Sequence, residues 1–215
     1  MVRMRVAFFG GTFDPIHRGH LRLAAAAADA FALDRVFFAP VGQQPLKSEG
    51  SIASFEDRLA MISLAIASDD LPASNLQPPT CNFLVSNLDA PHPDGTPNYT
   101  VDTLAALVLE YPTASLFVLT GADSFLDLRR WRSPDRLLAL AEWIVVNRPE
   151  FPLTEAQLAP LALTPVQRSR VHLLTSVHED VSATELRRRL HVGDPCPGLL
   201  PPTVAAYIQS HHLYL

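Results

Sequence analysis

The sequence predicts an α/β fold, a Rossmann-like doubly wound parallel sheet with helices on both faces and further helices toward the C-terminal end. Three observations predict it. Short, near-continuous apolar runs recur along the chain, as strands buried on both faces require. Stretches with helical periodicity separate them, and several of those open on residues suited to capping. At 215 residues with 48 % hydrophobic side chains, the chain can bury the core of one domain, predicted to span residues 1–215.

In chain order, the runs "MRVAFF", "RVFFAP", "SLFVLTG", "EWIVVN" and "RVHLLTS" are the predicted strands. Between them lie the predicted helices "GHLRLAAAAADAFA", "SFEDRLAMISLAIAS", "YTVDTLAALVLEY" and "SPDRLLALAEW". Ser54 with Asp57 three residues on, Thr100, and Ser133 followed by Pro134 mark helix starts. "LDAPHPDGTPN" reads as a plain loop, with a hairpin connection or a lid as alternatives. "RPEFPLTEAQLAPLALTPVQRS" reads as surface chain holding a short helix. "SATELRRRLHVGD" and "PPTVAAYIQSHHLYL" close the chain as two helices, the first stopped by Gly193.

Composition narrows the function classes. A net charge of −5 speaks against a general nucleic-acid binder, yet local cations and backbone N–H groups can still hold a phosphate substrate. Cys81 and Cys196 stand far apart outside any C-x-x-C pattern, so no disulfide framework or zinc site is expected. The basic N-terminus has too short an apolar stretch for a signal peptide, and no run reaches membrane-spanning length. A cytoplasmic protein without nucleic-acid or membrane partners is the expectation. A homo-oligomer is compatible with the sequence.

Two clusters carry candidate chemistry. "GGTFDPIHRGH" lies at the carboxyl edge of the first predicted strand, where open α/β sheets bind ligands. It has neither dinucleotide nor P-loop glycine spacing. Gly10 and Gly11 would let a ligand approach the backbone, Thr12 offers a hydroxyl, and Gly19 a tight entry to the helix. His17 and His20 at a helix mouth would either cap the helix or donate hydrogen bonds to phosphate oxygens. No third ligand accompanies them for a metal. In "VSATELRRRL", Ser182 and Glu185 resemble a capping box. Ser182, Thr184 and Arg187 would equally surround one helix N-terminus as a second phosphate site. Arg187, Arg188 and Arg189 cannot all face one ligand.

Together these segments resemble the nucleotidyltransferase superfamily, in detail the bacterial nicotinate mononucleotide adenylyltransferases. "PVGQQPLK" is similar to that family's P-x-x-x-x-P-H-K segment, "EDRLAMISLA" to its R-L-x-M helix, and "NYTVDTL" to its S-Y-T-x-D-T-L helix start. "LTGADSFLDLRRW" resembles its G-x-D-S/A with a downstream tryptophan, and "VVNRP" and "PPTVAAYIQSHHLY" also have counterparts. The resemblance spans essentially the whole chain in order. One departure stands out: Leu46 occupies the place of the histidine before Lys47.

The resemblance implies adenylyl transfer from ATP to nicotinate mononucleotide, with Mg²⁺ held largely by the phosphates and none by protein side chains. Gly10, Gly11, Thr12, Phe13, His17 and His20 would bind ATP, with Arg148 near its pocket. Ser182, Thr184 and Arg187, in a C-terminal helical part spanning 182–215, would grip the triphosphate from the opposite side. Lys47 would neutralise phosphate charge, making His17, His20, Lys47 and Arg187 the catalytic set. Asp123 would face a ribose, Trp131 would stack on the pyridine ring, and Tyr99 with Thr100 would meet its carboxylate. Trp131 at the core edge, Tyr99 in packing and Asp102 as a favourable first-turn acid are the plain structural alternatives. His92 is taken as a surface residue. Transfer to nicotinamide mononucleotide or phosphopantetheine, and a nucleotide-binding sensor without catalysis, are the other functions weighed.

Overall fold

The computed structural model describes residues 3–45, 50–68, 81–146, 153–175 and 181–215. Among them, six strands form one sheet: β1 (Arg5–Gly11), β2 (Arg35–Pro40), β3 (Asn82–Val85), β4 (Ser115–Gly121), β5 (Glu142–Val146) and β6 (Val171–Leu174). The spatial order is β3-β2-β1-β4-β5-β6 and every pairing is parallel. This is the doubly wound arrangement expected, with the order reversing between β1 and β4.

Alternation along the strands builds two cores. Ala7 and Phe9 of β1, Phe38 of β2, Leu119 of β4 and Ile144 of β5 face one side. Helices α1 (Arg18–Phe31) and α2 (Phe55–Ile66) cover it, joined by the C-terminal α8 (Ala183–His191) and α9 (Pro202–Ser210). Val6 and Phe8, Phe37, Val118 and Trp143 face the other side. There α3 (Thr100–Glu110), the short α4 (Ala122–Leu126) and α5 (Pro134–Leu140) pack against them. Two further single turns, α6 (Glu155–Leu158) and α7 (Pro165–Arg168), lie in the proline-rich stretch expected to run over the surface.

Several expectations change in detail. Strand β3 did not stand out in the sequence, and β1 extends through Gly10 and Gly11, which pair with Ala39 and Pro40. Both glycines are therefore strand residues rather than loop residues. Ser54 caps α2 as expected, accepting from Asp57 N at 3.0 Å, but neither Ser133 nor Ser182 makes a capping bond with its side chain. Gly193, at φ 79°, does stop α8: its N–H reaches Leu190 O at 2.9 Å and that of Asp194 reaches Arg189 O at 3.0 Å. Residues 86–99 contain neither helix nor strand, as a plain loop should. Leu46, Lys47 and Arg148 lie outside the described residues.

Candidate active site

A cavity of about 570 Å³ opens at the carboxyl edge of the sheet, where β1 and β4 part. Gly10, Gly11, Thr12 and Phe13 form its floor with Val118 to Thr120 of β4. His20 and Arg187 line one side, and Tyr99, Thr100 and Trp131 line the other. Two segments joined only by the fold thus share one opening: the start of α1 and α8 on one hand, α3 and the segment after α4 on the other.

His17 is the N-cap of α1 and is 5 % exposed. It stands behind His20 and is not part of the cavity lining. The two rings stack at 3.7 Å with 25° between their planes. His20 Nδ1 accepts the His17 backbone N–H at 3.3 Å, which leaves Nε2 as the protonated, donating nitrogen of a neutral ring. Burial pushes the His17 imidazole down to about 4, and burial together with the neighbouring His17 holds His20 well below the usual imidazole range. Capping and site therefore coincide in this pair. Gly19 gives the pair room, because a Cβ there would lie 3.0 Å from His17 Nδ1.

Arg187 extends from α8 across the opening. Its Nη1 donates to Asp14 O at 2.7 Å and its Nη2 to Thr184 Oγ1 at 3.3 Å. Arg188 instead forms a two-pronged pair with Glu185 at 2.7 and 2.8 Å, and Arg189 pairs with Asp194 at 2.7 Å. Glu185 is thereby committed elsewhere, and the capping box read into Ser182 and Glu185 is not formed. Ser182 and Thr184 are exposed on either side of Ala183, which does line the cavity.

On the opposite side, Trp131 is half-buried, its ring edge-on to Trp143 at 6.0 Å, so one tryptophan both seals the core and borders the opening. Tyr99 is the N-cap of α3, and the Arg132 guanidinium lies 4.5 Å above its ring. Arg132 also approaches Asp102 at 3.9 Å. Asp123 departs from expectation: it is exposed in the first turn of α4 and outside the cavity lining, whereas its neighbour Ser124 belongs to it. His92 is exposed, as expected of a surface residue.

The residues that support the cavity were not singled out by sequence. Arg58, 2 % exposed, donates through Nη1 to Thr12 O at 2.8 Å and Val41 O at 2.9 Å. Its signal was present in the pattern, since Arg58, Met61, Ile62 and Ala65 form the buried face of α2 and a cation heads that apolar row. Asp14, also buried, accepts from Ile52 N at 2.8 Å and Ala53 N at 3.2 Å. The loop before α3 is strapped to the end of β2: Gly42 N donates to Asp89 O at 2.7 Å, Gln43 N to Asn98 Oδ1 at 2.9 Å, and Asn98 N to Gln43 O at 3.0 Å. That strap places the Asp89 carboxyl in the cavity wall, where it accepts from Thr103 Oγ1, and burial pushes it up from the ordinary carboxylate range. Among the described residues, no cluster of three or more His, Cys, Asp or Glu side chains could hold a metal ion, and no helix is long and apolar enough to cross a membrane.

The cytidylyltransferase-like family model matches residues 8–189. A Corynebacterium kroppenstedtii protein named "Probable nicotinate-nucleotide adenylyltransferase" is 37 % identical over 98 % of this chain and 91 % of its own length. Its Thermus thermophilus counterpart of the same name is 38 % identical over 98 % of this chain and 100 % of its own. Among solved structures, Plasmodium falciparum nicotinic acid mononucleotide adenylyltransferase complexed with NaAD superimposes with a TM-score of 0.77 at 18 % identity, covering 99 % of this chain and 98 % of that one.

Proposed function

The chain belongs to the cytidylyltransferase-like family, alongside the nicotinate-nucleotide adenylyltransferases, and from that premise we infer that it transfers the adenylyl group of ATP to nicotinate mononucleotide. The products are nicotinate adenine dinucleotide and pyrophosphate, a step of NAD biosynthesis. The observation that carries this reading is that one cavity is bordered by His20 and Arg187 on one side and by Tyr99, Thr100 and Trp131 on the other. An enzyme that joins two nucleotides needs two such half-sites meeting at one phosphorus.

In the transfer, a 5′-phosphate oxygen of the mononucleotide attacks the α-phosphorus of ATP, and the bond to the β-phosphate oxygen breaks as pyrophosphate leaves. No protein nucleophile is required. The chain contributes position and charge stabilisation. His20 Nε2–H donates to the phosphates, and Arg187, whose hydrogen-bond partners here are a carbonyl and a hydroxyl, offers its guanidinium to them. His17 sits behind His20 and fixes its ring and tautomer through the backbone bond. Ser182 and Thr184, exposed at the start of α8, support the triphosphate end, so that the C-terminal helical part completes the ATP site through α8. Lys47 and Arg148 supply further charge by similarity to the family.

On the acceptor side, Trp131 offers a flat face to the pyridine ring and the α3 N-terminus at Thr100 offers N–H groups to its carboxylate. The Asp123 ribose contact rests on the family motif, with Ser124 nearer the opening. Mg²⁺ would arrive bound to the ATP phosphates and neutralise part of their charge. The residues present suit such a metal-nucleotide, because the cavity carboxyl groups of Asp14, Asp89 and Asp127 already hold Tyr214, Thr103 and Arg130. The free thiols Cys81 and Cys196 fit a cytoplasmic setting.

The test is pyrophosphate release from Mg²⁺-ATP with nicotinate mononucleotide, nicotinamide mononucleotide and phosphopantetheine offered in turn. Turnover well above the others with the nicotinate acceptor, lost by at least a hundredfold in His20→Ala, is the expected result. Preference for another acceptor would change the substrate assignment. ATP binding without turnover on any of the three would make the protein a sensor.

A further inference from the structure

The chain ends in a turn that returns to the phosphate-facing corner. His212 and Tyr214 both have left-handed backbones, at φ 51° and 63°, and this swings the Tyr214 ring inward until it is 7 % exposed. Its hydroxyl donates to Asp14 Oδ1 at 2.6 Å, across 200 residues of sequence. Asp14 is itself 3 % exposed and immediately follows Phe13, a cavity residue held at φ 49°. Its carboxylate is shared between Tyr214, Ala53 N and Ile52 N, while its carbonyl receives Arg187. Three segments remote in sequence therefore converge on one residue of the opening motif.

A buried carboxylate is costly unless each lone pair is used, and a bond from an uncharged donor to a charged acceptor is among the stronger kinds. The Tyr214 hydroxyl is held protonated by burial and by the Asp14 charge beside it, so it acts only as a donor. Without it, the Asp14 carboxylate keeps the bonds from Ile52 N to Oδ2 at 2.8 Å and from Ala53 N to Oδ1 at 3.2 Å, both from the same short segment. The corner then loses its tie to the C-terminal turn, and the carbonyl that locates Arg187 is held less closely.

We propose that Tyr214 is a positioning residue for nucleotide binding: through Asp14 it holds the Thr12–Asp14 corner against Arg187, so that the floor of the cavity and the α8 guanidinium meet the same phosphates. The proposal rests on the reading of this corner as the ATP site. It makes the last turn of the chain part of that site without touching the ligand.

Calorimetric titration of ATP into Tyr214→Phe without acceptor tests it, together with the KM of each substrate. The expected result is ATP affinity weaker by about tenfold and KM for the acceptor changed less than about twofold. Ile208→Val, which trims the same C-terminal segment away from Asp14, lowers thermal stability and leaves ATP affinity unchanged. A folded Tyr214→Phe that binds ATP within about twofold of the native protein overturns the proposal. Should that variant not fold, coupling in the native protein decides, because linkage is reciprocal. ATP then slows hydrogen exchange at the amides of His211 to Leu213, which bond back to α9, and unchanged exchange overturns the proposal. If the native protein binds no ATP, the functional reading fails rather than the coupling.

Discussion

Gly42→Ala is the substitution whose effect the structure determines most directly. Gly42 is not in the left-handed region, so its need for glycine is purely one of space. A Cβ there would lie 2.5 Å from Pro91 N, 2.7 Å from Pro91 Cα and 2.9 Å from Asn98 Oδ1. Two of these are backbone atoms of the strapped loop, which cannot swing aside like a side-chain tip. Ordinary contact begins at 3.4 Å, so the loop must retreat by roughly 1 Å. Bonds of 2.7, 2.9 and 3.0 Å between 42–43 and the loop would then stretch past useful hydrogen-bond length. At about 1 kcal/mol net for each bond lost, the cost is about 1–3 kcal/mol, the range typical of overpacking.

For a chain of this size that corresponds to a fall in Tm of a few degrees to about 10 °C. The retreat also withdraws Asp89 and Asn98 from the wall beside Tyr99, so the acceptor half-site loses its shape while the Arg187 side stays intact. Pyrophosphate release at saturating ATP should show KM for nicotinate mononucleotide raised by about tenfold, with KM for ATP within about twofold. A variant with native Tm and native KM for the acceptor would show that the loop is not braced against Gly42 and would refute the reasoning.

Two further outcomes follow from buried titrating groups. His17 has a folded pKa of about 4 against about 6.5 unfolded, so its contribution to stability is complete above pH 6.5 and is lost as pH falls toward 4. The loss approaches about 3 kcal/mol, and urea denaturation of His17→Asn between pH 7.5 and 4.5 should show a flatter slope than the native protein; equal slopes would rule the buried neutral ring out. Asp89 behaves oppositely, since a carboxyl pushed upward by burial weakens the fold once ionised. Asp89→Asn keeps an acceptor for Thr103 and should melt at or above the native temperature at pH 7.5, an advantage that shrinks with acidification; a pH-independent loss of stability would show that the charge itself is used.

The sheet was legible because its central strands are apolar runs buried on both faces, a pattern with few competing readings. β3 was not: "NFLV" is a four-residue edge strand with partly exposed side chains, and its identity comes from pairing with β2 rather than from its own pattern. Gly10 and Gly11 read as loop because glycine weakens isolated strands, yet pairing with Ala39 and Pro40 of β2 keeps them in the ladder. The H-x-G-H and S-A-T-E-L-R motifs marked one side of the cavity, since their members are close in sequence. Their supports escaped notice for the converse reason. Arg58 meets Thr12 from 46 residues away, Thr103 meets Asp89 from 14, and Tyr214 meets Asp14 from 200. A buried polar side chain acquires its role from its partner, and here the partner lies beyond any local window.

The acidic net charge also misleads until charges are paired off. Three arginines stand in a row on α8, and a count would credit the site with all of them. Arg188 is neutralised by Glu185 and Arg189 by Asp194, both through short surface pairs. Arg187 alone of the three meets uncharged acceptors, the Asp14 carbonyl and the Thr184 hydroxyl. The buried Asp14 carboxylate nearby is held by Tyr214, Ile52 N and Ala53 N, and the two imidazoles beside the opening stay neutral near pH 7. A polyphosphate entering there finds a guanidinium and neutral donors in place of a diffuse basic surface. Such a site favours a compact anion seated at one corner over an extended one, so a net charge of −5 is compatible with a phosphate-bearing ligand at that corner.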